Sequence, residues 1–95
     1  MKKRVFSGVK PSARLHIGNY IGAIRNWVSG IDERENIFCV VDQHAITVDH
    51  DPNELRMLTR ELIGLYIACG LDPQKANIFI QSHIPEHTEL AWILN

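Results

Sequence analysis

Ile37-Phe-Cys-Val-Val41 is an unbroken apolar run of mostly β-branched and aromatic residues. A strand with one face in water alternates apolar and polar side chains. A run without that break is apolar on both faces and belongs at the centre of a parallel sheet, covered above and below. Parallel neighbours cannot be joined by a tight turn, so the flanking segments must carry crossover helices.

They do. Upstream, Val5 and Phe6 are good strand formers, and Gly8 and Pro11 end that strand soon after. Tyr20, Ile21, Ile24, Trp27 and Val28 then recur at helical spacing, which predicts a helix from about Asn19 to Ser29 with Gly30 as its C-cap. Ile31 to Asn36 reads as a charged turn before the apolar run. Downstream, Asp42 to His50 reads as a loop. Asp51 caps a second helix, with Pro52 at its first position and Glu54 three residues after the cap. That helix reaches about Cys69, with Leu55, Leu58, Leu62, Leu65 and Cys69 as its core stripe. Gly70 and Asp72-Pro73 mark its exit. Asn77 to Gln81 is a third strand, Ser82 to Glu86 a loop, and His87 to Leu94 the start of a third helix.

The order βαβαβα specifies an α/β fold with a parallel three-stranded sheet. Right-handed crossovers place the strands in the order 3-2-1. The first strand then lies where a doubly wound sheet reverses direction, and a fourth strand would normally pair with its outer edge. The chain is therefore expected to be the front half of a larger domain, with an open first edge.

Composition excludes several classes. The 95 residues suit one small domain, and 45% hydrophobic with 22% charged residues is an ordinary globular mixture. A net charge of −1 argues against a dedicated nucleic-acid-binding module, so Lys2-Lys3-Arg4 reads as a solvated terminus. No apolar run approaches the length of a membrane span, and the N-terminus lacks the apolar core of a signal peptide. Cys39 and Cys69 sit in apolar segments, as buried free thiols in a reducing compartment would, so a cytoplasmic location is expected.

Ligands of open α/β sheets bind at the C-terminal strand ends, beside the reversal point. Gly8–Gly18, Asp42–His50 and Ser82–His87 emerge there, bringing the first loop, His44 and His83 toward one crevice. The first loop opens onto a helix N-terminus, whose free N–H groups and positive dipole end favour phosphate. Gly18 allows close backbone approach, and His16 can donate to a phosphate oxygen as charge builds. An ordinary strand–helix connection with a surface histidine is the alternative. Other constellations are weaker. His83 and His87 have i, i+4 spacing, but Pro85 separates them and no third ligand stands near, so no metal site is expected. Asp42 and His44 are an acid–base pair or two solvated residues. Trp27 and Trp92 are core or interface residues. Neither G-x-G-x-x-G nor the P-loop signature occurs.

Phe6-Ser-Gly-Val-Lys-Pro-Ser12, His16-Ile-Gly-Asn-Tyr-Ile-Gly-Ala-Ile24, Val41-Asp-Gln-His-Ala-Ile-Thr47 and Phe79-Ile-Gln-Ser82 together resemble the N-terminus of the bacterial tryptophanyl-tRNA synthetase family, throughout the chain. His16-Ile-Gly-Asn19 stands where class I synthetases carry H-I-G-H. The resemblance implies the N-terminal part of a Rossmann-like catalytic domain, spanning 1–95. It implies that the tryptophan carboxylate attacks the α-phosphate of ATP, that pyrophosphate leaves, and that the aminoacyl group passes to tRNA. By the same resemblance, Lys10, Pro11, Ser12, His16, Gly18 and Asn19 line the ATP site, with His16 and Asn19 catalytic. Phe6, Gly8, Val41 and His44 contribute to the indole pocket. Mg²⁺ accompanies the ATP, no metal is held by the protein, and the parent is a homodimer.

Three positions depart from the family. Lys10 replaces a usual Gln, Ala13 a usual Gly, and His16 a frequent Thr. If position 13 needs a positive φ, Ala13 costs about 1 kcal/mol. The second signature, K-M-S-K-S, lies beyond Asn95 in the family, so full aminoacylation by this chain alone is not expected. A small-molecule nucleotidylyltransferase of the same superfamily, or a non-catalytic interaction piece, are the other readings.

Overall fold

The computed structural model describes residues 1–11, 18 and 20–95, the side chains of 20 and 21 excepted. Strand β1 (Lys3–Val9) is followed by a π-helical turn, Tyr20–Ile24, that runs straight into helix α1 (Arg25–Ser29). Then come β2 (Arg34–Val40), the single helical turn α2 (Asp42–Ala45) and the long helix α3 (Pro52–Ala68). Strand β3 (Ala76–Ile80), a 3₁₀ turn at Gln81–His83 and helix α4 (Glu86–Leu94) complete the order.

The sheet runs β1-β2-β3, parallel throughout, with β2 central as its apolar run requires. The register pairs Lys3 with Arg34 through Val9 with Val40, and Asn36 with Ala76 through Val40 with Ile80. Both crossovers pack on one face, where successive same-handed connections must lie. Trp27 of α1 stacks on Phe38 of β2, ring centroids 4.4 Å apart, and Tyr66 of α3 meets Trp27 edge-on at 5.4 Å. Ile24, Val40, Leu62 and Leu71 close this core. The opposite face carries Phe6, Gly8, Ile37, Cys39 and Phe79, with the His87 ring of α4 beside Phe79, 5.8 Å away.

β1 ends at Val9, between Gly8 and Pro11 as expected, with Gly8 still paired to Cys39. Several other boundaries differ from expectation, each for a physical reason. β2 begins at Arg34 rather than Ile37, because Arg34, Glu35 and Asn36 find partners in Lys3, Arg4 and Val5. The polar side chains are accommodated there. Arg4 donates to Glu35 at 2.9 and 3.2 Å across the strands, and buried Asn36 donates to the Ile31 and Arg34 carbonyls. Part of the basic N-terminal cluster is thus tied into strand pairing. Asp42–Ala45 is helical rather than loop, and Gln81 belongs to the 3₁₀ turn rather than to β3. The expected start of the first helix, Asn19, lies outside the described residues.

Helix ends show a similar mixture. Asp51 accepts from the N–H groups of Asn53 and Glu54, as its capping position predicts. Gly30 is the C-cap of α1, as expected, its N–H bonded to the Val28 carbonyl, but at φ −107° it makes no left-handed turn. Arg34 replaces that device, donating to the carbonyls of Gly30 and Asn26 with its guanidinium laid across the helix C-terminus. The stripe of α3 is also rotated from the leucine row. Thr59, Leu62 and Tyr66 are its buried residues, while Leu55, Leu58, Leu65 and Cys69 are half-buried. Thr59 tolerates burial because its hydroxyl donates to the Leu55 carbonyl at 2.8 Å.

Candidate functional site

Val9, Val40 and Ile80 end their strands at one edge of the sheet, so the three segments that follow leave from the same side. The Val41 N–H donates to the Val9 carbonyl at 3.1 Å and holds the first two exits together. On the face away from the crossover helices, strand alternation brings Phe6 and Gly8 into line, with Val41 beside Gly8. A Cβ at Gly8 would lie 2.7 Å from the Cys39 carbonyl oxygen and 3.1 Å from Val41 Cγ1. The Phe6 ring stands 6.3 Å from that of Phe79. Phe6, Gly8 and Val41 therefore form one apolar strip, with Cys39 beneath it and Phe79 at its border. Neither of these last two was assigned to the site from the sequence, although alternation through Ile37–Val41 places Cys39 on this face. His44 sits exposed at the end of α2, on the segment beyond the strip.

Of the first loop, Lys10 is half-buried, Pro11 is buried and Gly18 is exposed. Pro11 lines a cavity of about 100 Å³ with Ala45, Val48, His50, Leu55 and Leu58, which places it beside the second exit and α3. Ser12, Ala13, His16 and Asn19 lie outside the described residues.

Asp42 has a structural task that its sequence position did not announce. Its Oδ1 accepts the N–H of Gln43 at 3.1 Å and that of Ser82, forty residues on, at 3.0 Å. It ties the exits of β2 and β3 together rather than pairing with His44. A second cavity, of about 310 Å³, opens beside this tie and is lined by Asp42, Arg56, Arg60, Ile80, Ser82 and His83. Arg56 and Arg60 also escaped the sequence reading; their spacing of four residues on one helix was the available signal. His83 and His87 belong to different elements, the 3₁₀ turn and α4, so their spacing does not place them on one helix face.

Burial governs the titration of the apolar strip. Desolvation, with the Asp42 charge adding to it, pushes the Cys39 thiol up to about 11. Burial likewise raises the Tyr66 hydroxyl well above the usual phenol range, the Cys39 thiol adding to the effect. Among the described residues, Asn36 Oδ1 and Gln81 Oε1 are buried without a hydrogen-bond partner.

A parallel sheet with both crossovers on one face and its connections leaving together at the strand ends defines a Rossmann-like α/β fold. The family model described as class I tRNA synthetases (W and Y) matches residues 1–95, and the chain belongs to that family. A tryptophan–tRNA ligase of Thermosynechococcus vestitus is 60% identical over 91 residues, covering 96% of this chain and 28% of the relative. One from Prochlorococcus marinus is 58% identical over 94 residues, covering 99% of this chain and 28% of the relative. Among solved structures, the tryptophanyl-tRNA synthetase of Campylobacter jejuni complexed with ADP and tryptophan superposes with a TM-score of 0.90 at 36% identity, covering 96% of this chain and 28% of that one. The chain thus spans little more than a quarter of the length of these relatives.

Proposed function

We propose that the intact protein is a tryptophan–tRNA ligase, and that residues 1–95 are the N-terminal portion of its catalytic domain. The reading rests on the match, along nearly the whole chain, to a synthetase structure that holds ADP and tryptophan. In this reaction the carboxylate of L-tryptophan attacks the α-phosphate of ATP, pyrophosphate departs, and the aminoacyl group passes to the 3′ end of the tRNA. Positioning and electrostatics carry such chemistry, and Mg²⁺ arrives with the nucleotide as part of the substrate.

The residue roles follow the family likeness, supported at Phe6, Gly8 and Val41 by their shared sheet face. The Phe6, Gly8 and Val41 strip is flat, apolar and open at the strand ends, which suits an indole ring, and His44 would border it. Lys10, Pro11, Ser12, Gly18 and Asn19 would line the nucleotide. His16 and Asn19 would act on the phosphates, with His16 donating as negative charge develops. A homodimer in the cytoplasm completes the proposal. Among the described residues no helix is long and apolar enough to cross a membrane.

Tryptophan-dependent exchange of pyrophosphate into ATP, measured on the intact protein, tests the reading. Exchange that needs tryptophan is the expected result; exchange driven by a different acceptor overturns it. His16→Ala should lower the exchange rate on the order of 100-fold while tryptophan affinity changes little. Equal losses in both would remove His16 from the phosphate chemistry.

A further inference from the structure

The cavity of about 310 Å³ beside the Asp42–Ser82 tie lies on the α3 side of the strand exits, apart from the apolar strip, and nothing in the proposed reaction uses it. Arg56 and Arg60 both reach it, one helical turn apart, roughly 5–6 Å between Cβ atoms. Glu54 and Glu61 share their helix, yet among the described residues neither arginine makes an ion pair. Ser82 and His83 add a hydroxyl and an imidazole from the 3₁₀ turn, and neither side chain has a hydrogen-bond partner among the described residues. The cavity's carboxylate, Asp42, is turned toward main-chain N–H groups by two hydrogen bonds, and Thr59 donates to its own helix. The lining therefore keeps a positive balance and several unused donors around a volume open to solvent.

We propose that this cavity binds phosphate, and that the phosphates belong to the backbone of the RNA substrate. Two unpaired guanidinium groups one turn apart can grip one phosphate from both sides or take two successive ones, because the planar fork matches phosphate oxygens in pairs. The cavity sits at the same sheet edge as the proposed transfer site. An RNA whose 3′ end enters that crevice passes along this flank, and contacts to its backbone would set its register without reading its sequence. The RNA assignment rests on the synthetase reading; the phosphate site itself does not.

Binding of a tRNA(Trp) transcript to the intact protein, followed by fluorescence anisotropy between 50 and 200 mM salt, tests it. Arg56→Gln with Arg60→Gln should weaken binding about tenfold and make the salt slope shallower by about two. Arg56→Lys with Arg60→Lys should retain most of the affinity. Tryptophan-dependent pyrophosphate exchange without tRNA should stay within about twofold of wild type, since the site lies outside the activation chemistry. Inorganic phosphate should move the arginine Nε–H signals of the wild-type protein and not those of the Gln variant. RNA affinity and salt slope unchanged in the Gln variant overturn the RNA assignment, and phosphate-insensitive arginine signals overturn the site altogether. Exchange lost with RNA binding intact would overturn it too, by placing the arginines in the ATP step. A wild-type protein without exchange would sink the synthetase reading, while the comparison of RNA affinities would still decide the site.

Discussion

A side chain at Gly8 has nowhere to go: the Cys39 carbonyl oxygen would stand 2.7 Å from its Cβ and Val41 Cγ1 3.1 Å away. Backbone cannot retreat as a flexible side chain can, so Gly8→Ala must push β1 away from β2. We expect a loss of about 1–3 kcal/mol, read as a lower denaturation midpoint of the intact protein. Cys39, its register partner, gives a second test at this scale. Its thiol is raised to about 11 by burial, so the fold favours the neutral form. A raised value means that this stabilisation is complete below the unfolded thiol's value near 9 and is lost as pH climbs through about 11. Iodoacetamide at pH 8 should therefore leave Cys39 unmodified in the native protein and modify it in urea, as mass spectrometry of the peptides would reveal. Sequence reasoning placed Gly8 and Val41 in one pocket only through family likeness. Their contact depends on strand register, which no local pattern encodes.

Helix ends are the most informative elements. α3 closes with the Gly70 N–H bonded to the Ile67 carbonyl and the Leu71 N–H to that of Tyr66, both at 3.0 Å. This paired arrangement satisfies carbonyls that the helix leaves free. Gly70 sits at φ +109°, where a Cβ is strained, and that Cβ would also press on Val28 at 3.2 Å. Gly70→Ala should cost about 1–2 kcal/mol by chemical denaturation, the strain of a non-glycine residue in that region. α1 closes by a different device, the Arg34 guanidinium on the Asn26 and Gly30 carbonyls. Arg34→Ala should cost about 1 kcal/mol, and Arg34→Lys should recover part of it, since a charge at the helix C-terminus remains. The Asp51 and Gly70 ends were legible because their bonds span only a few residues. The Arg34 cap was not, since the side chain comes from the next strand. The same limit explains the rotated stripe of α3: leucine spacing predicts a face, but the T-shaped fit of Tyr66 against Trp27 selects which part is buried.

For the whole molecule, two surfaces stand without cover. The outer edge of β1 has no strand partner among the described residues. Helix α4 turns little toward the sheet, leaving Trp92 80%, Ile93 76% and Leu94 76% exposed, and the Phe6 ring is 60% exposed on the open sheet face. An unpaired edge and a bare apolar helix invite pairing with another chain. The 95-residue chain on its own should therefore self-associate at micromolar concentration, and sedimentation velocity showing a monodisperse monomer would contradict this. The topology behind that expectation was readable from the alternation of strand and helix signals. The flank cavity was not, because Asp42, Arg56 and Ser82 come from three separate elements.

Local chemistry is enough to specify the parallel α/β class, the central place of Ile37–Val41 and the Asp51 cap. Each rests on neighbours within a helical turn or on the period of a strand. Register, the Arg34 cap, the Asp42–Ser82 tie and the pairing of Gly8 with Cys39 arise from long-range contacts. These form only when strands dock and burial orders side chains far apart in the chain, so they belong to the folded molecule.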